Sequence, residues 1–204
     1  MYARGHVGVG LLLYAPLATV LIMGNLFALA AVGWALTVFL STLPDIDMKL
    51  PGVPHRGPTH TLWFAAAVGV VMAVLSGIGA SVLIGQGAFD AALWSRVGID
   101  GTQSAIGLGY MTGNDPLLAG GVTALFIGTI SAMAIVSHLV GDVLTPMGIR
   151  PLTPFSNRKY TLKWTTAANN TANELLHYVG QFAMIGAIFV GSPTAREALL
   201  SFVR

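Results

Sequence analysis

Apolar residues in this chain run in long stretches without the short-period alternation of strands or the one-sided stripe of a surface helix. Val7 to Thr42 contains no charged residue. That is too long for one membrane-crossing helix, which needs about 20 mostly apolar residues. Met23-Gly24-Asn25 is the natural turn within it, predicting helices over 5–23 and 26–43, the first with Pro16 as a point of kinking. A third span is expected over 60–83, a fourth over 117–141 and a fifth over 172–191. Residues 86–115 carry Asp90, Arg96, Asp100 and Asp115 among many glycines and read as a loop with short helical pieces. Arg4, an apolar run and Ala28-Leu29-Ala30 imitate a signal peptide. The run continues past that cleavage point, so it reads as a retained anchor.

Composition narrows the class. The 204 residues are 54% hydrophobic and only 9% charged, against roughly 25% charged in soluble domains. The expected fold is therefore all-α: one polytopic transmembrane helical bundle, residues 1–204, with cytoplasmic loops 44–59 and 142–171 and an external loop 84–116. There is no cysteine, which excludes thiolate metal sites, disulfides and Cys nucleophiles. A net charge of +2, scattered along the chain, excludes direct nucleic-acid binding as the main function.

Lysine and arginine set the orientation. Arg4, Lys49, Arg56, Arg150, Arg158, Lys159 and Lys163 fall at one end of the predicted spans; Arg96, Arg196 and Arg204 fall at the other. The first end is expected in the cytoplasm of a plasma (inner) membrane, with the N-terminus inside and the C-terminus outside.

Every histidine falls at that same end. His6 begins span one, and Asp45 and Asp47 follow span two in Leu43-Pro44-Asp45-Ile46-Asp47. His55 and His60 flank Arg56-Gly57-Pro58-Thr59 before span three. His138 and Asp142 close span four, and Glu174 and His177 open span five. His138 and Asp142 are four apart, on one helical face. Asp45 and Asp47, if extended, would point the same way. Pro58 suits a first helical turn, with Gly57 or Thr59 near the cap, leaving His60 by the positive end of a helix dipole, where neutral imidazole is favoured. Ionisable groups at membrane depth are costly and mark function. Imidazole and carboxylate without thiolate suit zinc first, with manganese or iron as alternatives, and the donors suffice for one or two ions. Taken singly, His6 reads as an interfacial residue, Asp45 and Asp47 as a turn, and Glu174 and His177 as a solvated helix start.

The succession Gly5-His6, Leu43 to Asp47, His55 to His60, and His138-Leu139-Val140-Gly141-Asp142-Val143-Leu144-Thr145-Pro146-Met147-Gly148, with Pro154-Phe155-Ser156 after it, resembles the YdjM-like family. These are predicted membrane-bound metal-dependent hydrolases, and one member is described as LexA-binding. Thr61 stands where the family usually has serine. The resemblance implies a bacterial or archaeal inner-membrane hydrolase with His6, Asp45, His55, His60, His138 and Asp142 as metal ligands. A fainter similarity to zinc-dependent phospholipases C hints at a lipid phosphoester.

The expected activity is hydrolysis of a lipid or other membrane-associated ester by metal-activated water. Asp47 is the expected general base and Arg56 the clamp on phosphoryl oxygens. Arg150, Arg158 and Lys159 are expected on the headgroup, and Glu174 and His177 are further candidate ligands. The alternative is a non-catalytic anchor whose metal site staples helix ends, with loop 143–171 as the docking surface for a protein partner. A transporter ranks below both, because the ionisable groups gather at span ends and not in interrupted helices at mid-bilayer.

Overall fold

The computed structural model describes residues 1–52, 54–87, 112 and 115–203. These form helices α1 (Ala3–Met23), α2 (Phe27–Leu40), α3 (Leu62–Gly85), α4 (Pro116–Val143), α5 (Asn170–Gly191) and α6 (Pro193–Val203), with no strand among the described residues. Five segments are long and apolar enough to cross a membrane. Exposed Val70, Val71, Val74, Leu75 and Ile78 on α3, and Phe182, Ile185 and Ile188 on α5, would need an apolar surround such as lipid. The expected all-helical bundle is thus present.

Caps and turns explain the element ends. Asn25, at φ 58°, turns the chain between α1 and α2, as short amide side chains tolerate. Thr61 caps α3 by accepting from the Phe64 amide, Asp115 caps α4 through the Leu118 amide and Asn169 caps α5 through the Ala172 amide. Asp90, Arg96 and Asp100, and the loop read over 86–115, lie almost wholly outside the described residues. The short α6 beyond Gly191 is an element that hydropathy did not predict.

Two helix pairs make the framework: α3 with α4, and α1 with α5, bridged by α2 against α1 and α4. Small residues set both. On α3, Gly69, Ala73 and Gly77 recur every four positions and meet Gly120, Ala124, Gly128 and Ala132 of α4; a Cβ at Gly128 would lie 2.7 Å from that of Ala73. In lipid no hydrophobic force draws helices together, so close backbone approach supplies the packing energy. Gly8 of α1 faces the backbone of Leu176 and Gly180 of α5 in the same manner. Tyr14, fully buried, donates from its hydroxyl to the Ala30 carbonyl at 2.8 Å, tying α1 to α2.

Two expectations about the loops are corrected. Leu43–Lys49 is a 3-10 helix, not an extended segment, so Asp45 and Asp47 do not point the same way. Pro58 does open a helical turn with Gly57 at its N-cap, but Pro58–His60 is a separate 3-10 turn, and Thr61 caps the long helix. His60 therefore stands just outside the helix start. The segment after α4 folds back upon it: Leu162 and Trp164 donate from their amides to the carbonyls of Val143 and Leu144, and Ile149 exchanges two amide bonds with Tyr160.

Candidate metal centre

All the helix ends that carry histidine meet at one end of the bundle. His60 and His138 are fully buried, and Asp142 and Asp47 nearly so, whereas the Asp45 side chain keeps 17% of its surface exposed. The Nε2 atoms of His60 and His138 are 3.1 Å apart. Asp45 Oδ1 lies 3.6 Å from the first and 3.5 Å from the second. Asp142 Oδ2 lies 3.3 Å and 3.5 Å from the same two atoms. A tetrahedral ion with ligands at about 2.0–2.1 Å places its donors about 3.3–3.4 Å apart. These separations bracket that spacing.

Hydrogen bonds on the far side of each ring orient the donors. His138 Nδ1 is 2.7 Å from the Ser41 carbonyl, which can only accept, so Nδ1 carries the proton and Nε2 offers its lone pair inward. His60 Nδ1 is 3.0 Å from the Thr59 hydroxyl, whose proton goes to Asp47 Oδ2 and whose oxygen can therefore accept from the ring; with Asp47 Oδ2 itself 3.2 Å away, Nε2 is likewise freed. Two inward lone pairs at 3.1 Å repel unless a cation, proton or metal ion, lies between them. Burial would lower the His60 pKa, but Asp142 and Asp45 outweigh it and hold the imidazole above its usual value.

Asp47 is fully committed to positioning. Its Oδ1 is 2.9 Å from His55 Nδ1, and its Oδ2 accepts from the Arg56 amide at 3.0 Å and the Thr59 hydroxyl at 2.8 Å. Arg56 reaches this position through a left-handed backbone, φ 61°. Its guanidinium turns inward, donating to Asp142 Oδ1 at 2.8 Å, to the Gly148 carbonyl at 2.9 Å and to the Thr145 hydroxyl at 3.2 Å. The Met1 amine also donates to Asp142 Oδ1, at 3.0 Å.

His6 completes the cluster. Its ring stacks on that of His138, centroids 3.7 Å apart, and its Nε2 is 3.6 Å from Asp142 Oδ1. Both His6 nitrogens and Asp142 Oδ2 are buried without a hydrogen-bond partner among the described residues, a costly state for polar atoms that a bound cation would relieve. The triads His6, Asp45 and His138; Asp45, His55 and His60; and His60, His138 and Asp142 each hold donor atoms within 4.8 Å of one another. The donor set fits a divalent ion.

The remaining candidates lie apart from it. Glu174 is paired with Arg4 at 2.6 Å on an exposed surface. The His177 ring contacts Tyr178, and neither residue joins a donor triad. Arg158 sits over the Tyr160 ring. Arg150, but neither Arg158 nor Lys159, lines a cleft of about 670 Å³ beside the loop 54–58. Ser41 and Thr59 are the positioning groups that sequence reasoning missed. Ser41 lies just before one motif and Thr59 within another, yet only the fold reveals their partners.

A family model described as YdjM inner membrane protein matches residues 1–203. The chain belongs to that family. No curated protein and no solved structure gives a match. Membership accords with the five candidate spans and makes this YdjM-family chain an inner membrane protein with a buried His/Asp group able to hold a metal ion.

Proposed function

We propose that the protein is an integral-membrane metallohydrolase that cleaves a membrane-associated ester, a phosphoester being the class its basic surroundings suit. The observation that carries this reading is donor surplus. His60, His138, Asp45 and Asp142 would suffice for a closed four-coordinate ion. Yet His6, buried with both ring nitrogens unpartnered, adds another nitrogen beside them. A site with more donors than a staple needs, and with one partly exposed carboxylate in Asp45, supports catalysis over simple bracing.

In this reading His60, His138, Asp45 and Asp142 hold the ion, zinc first and manganese or iron as alternatives, and His6 serves a fifth position or a second ion. When bound, a divalent ion would supply Lewis-acid chemistry, making water acidic enough to give up a proton near neutral pH. Asp47, with both oxygens engaged, positions His60 and is no longer the proposed base. Proton acceptance falls to Asp45, whose other oxygen makes no hydrogen bond among the described residues. Arg56 neutralises Asp142 and carries one further buried donor, Nε. His55 steadies Asp47. The excess of Lys and Arg at this end supports a cytoplasmic site, N-terminus inside.

A second reading keeps the ion and drops the chemistry. Four protein donors at tetrahedral spacing are also what a structural ion requires, and the folded-back segment 144–165 could then present a protein-binding surface. Elemental analysis of purified protein beside His60→Ala and His138→Ala, followed by a lipid-ester turnover screen before and after chelation, separates the two. One or two equivalents of metal, lost in both variants, with turnover lost on chelation and restored by metal, supports the hydrolase. Metal without turnover of any ester favours the staple. Absence of metal after reconstitution defeats both.

A further inference from the structure

Beside the centre, the cleft of about 670 Å³ runs between the start of α3 and the segment 150–157. Its lining is partly aromatic: Trp63 and Phe155 pack with ring centroids 5.3 Å apart, and Phe64 lines the cleft with them. Trp63 and Phe155 are 52% and 81% exposed, at the end of a membrane-crossing helix where aromatic side chains meet headgroups. Arg56 and Arg150 also line the cleft, and none of the described residues lining it is acidic.

The two arginines differ in a way that matters. Arg56 is largely spent on Asp142, yet its Nε is buried without a partner. Arg150 is exposed, and its side chain pairs with no acidic group among the described residues. A cleft lined by one exposed, unpaired arginine and by exposed aromatic rings matches an amphiphile whose head is anionic. Arg56 joins it directly to the metal centre, since it lines the cleft and donates to the ligand Asp142.

We infer that this cleft seats one anionic phospholipid drawn from the surrounding leaflet, its phosphate on Arg150 and its acyl chain along Trp63 and Phe155. The inference names the substrate class for the hydrolytic centre proposed above and rests on that reading for its catalytic meaning. Binding itself is measured apart from turnover.

The test uses the full, metal-loaded chain in phosphatidylcholine nanodiscs, with brominated-chain phosphatidic acid or brominated phosphatidylcholine as quencher of tryptophan fluorescence. Trp63→Phe, subtracted from the parent, isolates the Trp63 signal. Phosphatidic acid should quench Trp63 saturably and at lower mole fraction than phosphatidylcholine. Arg150→Gln should weaken that binding about fivefold, the share of one headgroup arginine, and leave the phosphatidylcholine signal unchanged. Phe155→Ala, at an exposed position, should weaken it while the protein remains folded. Equal quenching by the two lipids, no change in Arg150→Gln, or full displacement by inorganic phosphate at equal concentration would each overturn the assignment. The expected binding pattern supports the cleft whether or not any ester is turned over, so failure of the hydrolase reading shows up separately.

Discussion

His60 Nε2 and His138 Nε2 face each other at 3.1 Å, although one ring is fixed by Asp47 and the other by the Ser41 carbonyl. Because their outer nitrogens are held by acceptors, both inner nitrogens present electron pairs to a common point. Asp45 and Asp142 each bring a carboxylate oxygen within 3.6 Å of both nitrogens. The ends of α2, α3 and α4 thus meet around a pair of nitrogens that only a cation can bridge at low free energy.

Removing an inward nitrogen should remove the ion, whereas disturbing an outer partner should only weaken it. His60→Ala and His138→Ala are expected to retain no stoichiometric metal. Asp47→Asn keeps the shape but loses the charge that steadies His60 and should weaken metal affinity about 10–100-fold. Competition against a chelator of known affinity reads the difference. Asp47→Asn as damaging as His60→Ala would make Asp47 a direct ligand.

The metal-free and metal-loaded proteins should respond to pH in opposite senses. The His60 pKa is raised in the fold by Asp142 and Asp45, against the lowering effect of burial. In the metal-free protein that stabilisation is complete below the unfolded value of about 6.5 and is lost as pH rises through the folded value. Metal must displace the same proton, so its affinity rises with pH. The Tm gap between metal-loaded and chelated protein should therefore widen from pH 6 upwards. Thermal unfolding in detergent at several pH values measures it, and a gap independent of pH would remove His60 from the ligand set.

Much of this was legible before any coordinates. Long apolar runs placed the spans, because hydrophobic thickness alone dictates their length, and the gathering of His6, Asp45, His60, His138 and Asp142 at one end follows from counting span ends. Helix rotation and local turns were not legible. Asp45 and Asp47 diverge because Leu43–Lys49 winds as a 3-10 helix, a choice that no two-residue spacing reveals. Arg56 turns to Asp142 through a left-handed backbone, where sequence suggested an arginine free for substrate. Glu174 shares an end with the cluster but faces Arg4; its face depends on how Gly8 and Gly180 seat α5 on α1.

Arg56 should matter for stability as well as for the site. It is 10% exposed and gives Asp142 its guanidinium partner. Arg56→Met leaves that buried carboxylate with the Met1 amine and the histidines, and breaking such a pair costs about 3–5 kcal/mol. A bound divalent ion supplies replacement positive charge, so the loss should be smaller in metal-loaded protein. Chemical or thermal unfolding of both forms tests this, and equal losses would mean that Arg56 acts through packing alone.

The small-residue seam between α3 and α4 offers the last test, one remote from the metal. A side chain at Gly128 would meet Ala73 Cβ at 2.7 Å and the Gly69 carbonyl at 2.8 Å. Neither can swing away, since one is a methyl on a helix and the other is backbone. Gly128→Val must therefore part the helices, with an overpacking cost of about 1–3 kcal/mol. Because α4 carries His138 and Asp142 while His60 immediately precedes α3, parting the pair should also loosen the donor set and lower metal affinity. Gly121→Val, on the same helix with open space around its Cβ, should change neither. Comparing Tm and metal stoichiometry for the two variants decides whether the seam holds the centre together; a Gly128→Val protein that binds metal normally would show that the loops alone suffice.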